Sequence, residues 1–117
     1  TLVNLWFTTC APCITEMPSL NKLKEKYKNK VNFISITYNN KEDVQNFLKR
    51  RKFDFTHIIN EEKFLNAKKI TQYPINVFLD KNGNVKFVEG NISIIKNDDG
   101  TFSSDIVSFE NNINKLL

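Results

Sequence analysis

Apolar positions along the 117 residues change their period several times. Leu2 to Phe7 is a short apolar run of strand length. From Ile14 the apolar residues recur every three or four positions, at Met17, Leu20, Leu23 and Tyr27, which predicts a helix opening near Cys10. Val31 to Thr37 is rich in β-branched and aromatic residues and reads as a buried strand, closed by the turn residues Tyr38-Asn39-Asn40. Glu42 to Arg51 is a short amphipathic helix with Val44, Phe47 and Leu48 on one side, acids early and bases late. Phe53 to Ile59 forms a short extended piece. Asn60 is the expected N-cap of a helix through Phe64, Leu65 and Ala67, with Glu61 and Glu62 in its first turn. Ile75 to Leu79 is a strong strand, Asp80 to Asn84 a hairpin turn, and Val85 to Val88 the returning strand. Gly90 to Ser104 reads as an irregular insertion, with a hairpin turning at Asp98-Asp99-Gly100. A last helix, Asp105 to Leu117, carries Ile106, Phe109, Ile113 and Leu116 on one face.

The order β-α-β-α-(short α)-β-β-α contains strand–helix–strand units, which imply parallel pairing with right-handed crossovers, and one hairpin, which adds an antiparallel pair. The expected fold class is therefore α/β: a mixed central sheet with helices on both faces, in a single domain over residues 1–117. In such sheets sites gather beyond the carboxyl ends of the parallel strands, and Cys10 falls at one of them.

Composition narrows the function classes. Hydrophobic residues make up 40% and charged residues 26%, as in a folded globular protein, and ten Phe supply core volume. No apolar run approaches the roughly 20 residues that span a bilayer. Thr1-Leu2-Val3-Asn4-Leu5 lacks the basic start and cleavage site of an export signal, and a chain that opens in a strand reads as a trimmed fragment of something longer. The net charge of +4 comes from scattered Lys; the one dense basic cluster, Lys49-Arg50-Arg51-Lys52, closes a helix, where cations suit the dipole. A nucleic-acid face would carry a denser Arg stripe with exposed aromatics, so no nucleic-acid partner is expected.

Both cysteines, Cys10 and Cys13, lie where the first strand hands over to the first helix. Unpaired N–H groups and the positive end of the helix dipole favour negative charge there, and the thiolate is the reactive form of cysteine. Pro12 costs little so near a helix start. Other readings of the pair are a structural disulfide or half of a zinc site. Only His57 remains as a further nitrogen or sulfur ligand, and so short a disulfide loop removes little chain entropy. His57 itself, in an extended apolar context, reads as a structural histidine.

Val3-Asn4-Leu5-Trp6, Cys10-Ala11-Pro12-Cys13, Glu16-Met17-Pro18, Tyr73-Pro74 ahead of a strand, and Asp80-Lys81-Asn82-Gly83 together resemble the thioredoxin superfamily, in its TlpA/ResA-like branch of membrane-tethered or exported thiol–disulfide oxidoreductases. The resemblance covers nearly the whole chain. Thr9 stands where the branch usually has tryptophan, Ile75-Asn76 follow the proline where threonine is most common, and the branch's N-terminal strand or hairpin is absent.

The resemblance implies a thioredoxin-like fold in which Cys10 attacks, Cys13 resolves, and Glu16 is a buried carboxylate that relays the Cys13 proton. Asn4 occupies the position of the buried aspartate of thioredoxins proper, which leaves Glu16 as the local candidate. It implies a cis Tyr73–Pro74 bond in a loop facing the cysteines, with the Tyr73 backbone offered to a client chain. Ala11, Pro12 and Trp6 complete the expected substrate-contacting set, although Trp6 fits a core position better than a substrate platform. No metal, nucleotide or flavin is required. Expected partners are client proteins bearing cysteines or disulfides and a membrane-borne thiol donor, in an extracytoplasmic compartment, with the chain as a monomer. The branch includes members that keep apo-cytochrome cysteines reduced. A reading from a different class is a non-catalytic binding module or metallochaperone that holds a soft metal such as Cu(I) with the same cysteines.

Overall fold

Residues 1–117 are described by a computed structural model. Five strands form the main sheet: β1 (Leu2–Trp6), β2 (Phe33–Thr37), β3 (Thr56–Ile58), β4 (Ile75–Leu79) and β5 (Val85–Glu89). Their spatial order is β3-β2-β1-β4-β5. β1 runs parallel to β2, and β2 to β3, whereas β4 is antiparallel to β1 and to β5. The helices are α1 (Ala11–Tyr27), α2 (Lys41–Arg50), α3 (Glu62–Ala67) and α4 (Val107–Leu116). The insertion after β5 is a separate two-stranded hairpin, β6 (Ile94–Lys96) and β7 (Phe102–Ser104). This is the mixed α/β sheet that the element order predicts. No helix is long and apolar enough to cross a membrane.

Alternation along the strands sorts the side chains into two clusters. Leu2 and Trp6 of β1, Phe33 of β2 and Phe78 of β4 pack with Met17, Leu20, Leu23 and Tyr27 of α1, Val44 and Phe47 of α2, and Phe109 and Ile113 of α4. The opposite face is thinner: Val3 and Leu5 meet Leu65 of α3, with Ile36, Ile75 and Val77 alongside. The larger cluster is aromatic. Phe78 meets Phe109 edge-on with centroids 5.3 Å apart, and Trp6 lies 5.0 Å from Phe47 and 5.2 Å from Phe53. β1 lies between β2 and β4, beneath α1. Asn4 points to the same face as Leu2 and Trp6, directly across from Asn76 of β4.

α1 continues through Pro18, which is exposed and forfeits only one backbone bond. The start of α3 differs from expectation. Asn60 does not cap it: the residue adopts a φ of 60°, and its N–H is spent on the Asn39 carbonyl at 2.9 Å. Asn tolerates that left-handed turn better than most residues. The helix begins only at Glu62, with no side-chain cap.

Leu20→Ala, at a fully buried α1 position, is expected to cost about 2–5 kcal/mol by chemical denaturation. Val88→Ala, with 61% of the residue exposed on β5, is expected to stay within about 0.5 kcal/mol.

Candidate active site

Cys10 is the N-cap of α1, and its Sγ accepts a hydrogen bond from the Cys13 N–H at 3.3 Å. The strand-to-helix turn just before it is closed by the Cys10 N–H donating to the Phe7 carbonyl at 3.2 Å. The sulfur therefore sits on the unpaired N–H groups and positive dipole end of a 17-residue helix, where a thiolate is favoured. The two cysteines are joined as a disulfide with Cα atoms 5.2 Å apart. In this form both are buried, Cys10 by a narrow margin the less so, while Thr9, Ala11 and Pro12 around them are exposed.

One turn further along α1, on the inner side, lies the carboxyl of Glu16, which is 2% exposed. It is enclosed by donors. Asn4 Nδ2 donates to Oε1 at 3.0 Å, the Ile92 N–H donates to Oε2 at 2.9 Å, and Asn76 Nδ2 reaches both oxygens at 3.3 and 3.4 Å. Asn4 Nδ2 also donates to Asn76 Oδ1 at 2.8 Å, and Asn76 Nδ2 to the Gly90 carbonyl at 3.0 Å. Burial disfavours the carboxylate and pushes the pKa of Glu16 up from 4.5 to about 7; the bonds from Ile92, Asn76 and Asn4 pull the other way and lose. A carboxyl that titrates near neutrality beside a cysteine pair is suited to proton exchange.

The rim is aromatic. The Tyr73–Pro74 peptide is cis, Pro74 is buried, and Tyr73 is partly exposed. Tyr73 meets Phe7 edge-on with centroids 5.3 Å apart, and Phe7 stacks on Tyr38 at 5.5 Å. These three rings come from the ends of β1 and β2 and from the loop before β4. The loop carrying Thr8 is tied to the β2–α2 turn by its N–H, which donates to Asn39 Oδ1 at 2.9 Å. Sequence reasoning singled out Tyr73 but missed Phe7 and Tyr38; their shared position just past the carboxyl ends of parallel strands was the available signal.

One expected substrate contact is corrected. Trp6 is completely buried between Phe47 and Phe53, because its place on β1 turns it inward, so it supports the site from beneath and cannot touch a client. His57 is held at both nitrogens, Nδ1 by Ser35 Oγ at 2.5 Å and Nε2 by the Phe53 carbonyl at 2.9 Å, and burial lowers its pKa. It is structural, as its sequence context suggested.

A family model described as Redoxin matches residues 1–101. The chain belongs to the Redoxin family. Within that family it is 34% identical over 87 residues to the thiol-disulfide oxidoreductase ResA of Geobacillus kaustophilus, covering 72% of this chain and 50% of the relative. It is 30% identical over 86 residues to the thioredoxin-like protein YneN of Bacillus subtilis, covering 70% of this chain and 51% of that one. The chain thus spans about half the length of the curated relatives it matches. Among solved structures, a putative thiol:disulfide interchange protein DsbE from Chlorobium tepidum superposes with a TM-score of 0.77 at 19% identity, over 98% of this chain and 77% of that one. The thioredoxin-like fold expected from the motifs is therefore shown, and the Redoxin match spans β1 through β6, including every residue of the Glu16 cage.

Because the folded pKa of Glu16 lies above its unfolded value, the folded state holds the proton more tightly. Its contribution to stability is greatest below about pH 4.5 and is lost as pH rises through about 7, a change of about 3 kcal/mol. Urea denaturation of the oxidised protein across that window is expected to show this decline, and Glu16→Gln is expected to remove it. The readout is the difference in slope between the two proteins, which cancels the opposing contribution of His57.

Proposed function

We propose that the chain is a thiol–disulfide oxidoreductase that reduces disulfides of exported client proteins. The observation that carries this reading is a cysteine pair on a helix N-terminus with a buried, near-neutral carboxyl one turn behind it.

In the reduced protein the Cys10 thiolate attacks a client disulfide, forming a mixed disulfide and releasing one client sulfur as thiolate. Cys13 then gives its proton to Glu16 and attacks the Cys10 sulfur. The second client sulfur leaves with the electron pair, and Cys10 and Cys13 end as the disulfide seen here. Tyr73, set by the cis bond to Pro74 behind it, forms with Ala11 and Pro12 the surface that receives the client chain, and Phe7 and Tyr38 extend it. A membrane-borne thiol donor restores the dithiol, and the protein works outside the cytoplasm, as the branch it resembles does.

The direction of electron flow rests on electrostatics. A strong oxidant needs a deeply stabilised Cys10 thiolate. Here the helix terminus alone supplies stabilisation, no His lies between the cysteines, and ionised Glu16 raises thiol pKa values by like-charge repulsion. Each of these favours a reducing potential. The metal-holding alternative gains no third ligand from His57, whose ring nitrogens are both engaged.

Three measurements test the proposal. Cys13→Ser should trap a mixed disulfide through Cys10, and Cys10→Ser should trap none; capture through Cys13 would reverse the assignment. Glu16→Gln should slow insulin reduction at least about tenfold and erase the pH dependence near 7. Equilibration with glutathione should place the couple well below the strongly oxidising value of about −120 mV; a potential near that value would make the protein an oxidant of its clients.

A further inference from the structure

The amides around Glu16 have a direction, and a single backbone carbonyl sets it. Gly90 O can only accept, so Asn76 must turn Nδ2 toward it, at 3.0 Å. Asn76 Oδ1 then necessarily faces Asn4, and at 2.8 Å Asn4 must answer with Nδ2. The remaining hydrogen of that nitrogen goes to Glu16 Oε1 at 3.0 Å. Neither amide can be turned over without setting two acceptors against each other. This orientation leaves Asn4 Oδ1 buried with no partner, an unusual concession in a protein interior. At the other carboxyl oxygen the Ile92 N–H is a fixed donor, at 2.9 Å.

The groups facing the carboxyl are thus Asn4 from β1, Asn76 from β4, the Ile92 N–H from the connection after β5 and, along α1, Cys13. No charged side chain contributes to its titration. Each hydrogen-bond partner of the carboxyl is a donor, and a protonated carboxyl would find no acceptor among them. The arrangement suits an anion.

We infer that Asn76, oriented by the Gly90 carbonyl, is a positioning residue that works through Asn4 to keep the cage around Glu16 donor-only, and so stabilises the anionic form of Glu16 that can take the Cys13 proton. The inference rests on the proton-relay reading for its functional meaning, but its structural content is testable without turnover. A threonine could not take the place of Asn76, since a single hydroxyl proton cannot reach both Gly90 and Glu16 at once.

The experiment follows the Glu16 side-chain carboxyl by carbon-detected NMR from acid to alkaline pH in the oxidised protein, where the cysteines do not titrate. The wild-type midpoint is expected near 7. Asn76→Leu should raise it by about one pH unit or more, the loss of a hydrogen bond to a charged group. Asn76→Thr should raise it by less, and decides the matter alone if the Leu variant does not fold. An unmoved midpoint in the folded variants overturns the inference. In turnover, Asn76→Thr should displace the pH–rate profile in the wild-type background and leave it in place in the Glu16→Gln background; equal displacement in both would show that Asn76 acts elsewhere. If the NMR midpoints move as expected while the wild-type rate profile ignores them, the amide pair stands and the relay reading of Glu16 fails.

Discussion

Burying a carboxyl without a cation is the constraint to which the rest of this structure answers. A carboxylate in an apolar interior is prohibitively unstable unless it is hydrogen-bonded or neutralised. Glu16 occupies the middle ground: three donor groups hold it, no positive charge helps, and the balance falls near neutral pH. A Lys or Arg at the same place would have fixed the anion permanently. Amides leave it free to change state, and that freedom is what a proton relay requires.

The sheet is what makes the cage possible. Asn4 and Asn76 are opposite one another on adjacent antiparallel strands, the short-range geometry in which two side chains reliably meet. A one-residue slip of either strand would send its amide to the α3 face and replace it with a branched apolar side chain. The aromatic mass around Trp6 and the Phe78–Phe109 pair therefore serves the chemistry indirectly, by holding β1 and β4 in register against α1.

Much of this was legible from residue pattern. The strands Leu2–Trp6 and Ile75–Leu79, the helix after Cys10 and the hairpin at Asp98–Gly100 all announce themselves through period and turn chemistry, because local rules and burial agree there. Asn60 misled because its side chain suits a cap while its backbone was already committed to Asn39, a contact between segments distant in sequence. Trp6 was ambiguous because one residue type serves both cores and binding platforms, and only the facing of β1 decides. The spacing of Glu16 to Cys13 puts both on one side of the helix, and its burial was implied by the family resemblance. Its amide partners could not be anticipated, since two polar residues inside apolar strands reveal a shared partner only once the strands are paired.

The hairpin of β6 and β7 touches this chemistry at its root and nowhere else. Ile92 supplies the N–H to Glu16, and the hairpin is closed at its base by the Asp105 N–H donating to the Ser93 carbonyl and by Ser19 Oγ donating to Ser104 Oγ. From there the strands run outward to an exposed turn at Asn97–Thr101 that contacts no part of the cysteine site. Length and composition at the turn are consequently free to drift, whereas the segment Gly90-Asn91-Ile92 is not. For protein engineering this separates a tolerant attachment point from an intolerant one a few residues away: a fluorophore or surface tether placed at Asp98–Gly100 would leave the cysteine site untouched, and the same cargo inserted at Asn91 would pull the Ile92 N–H away from Glu16.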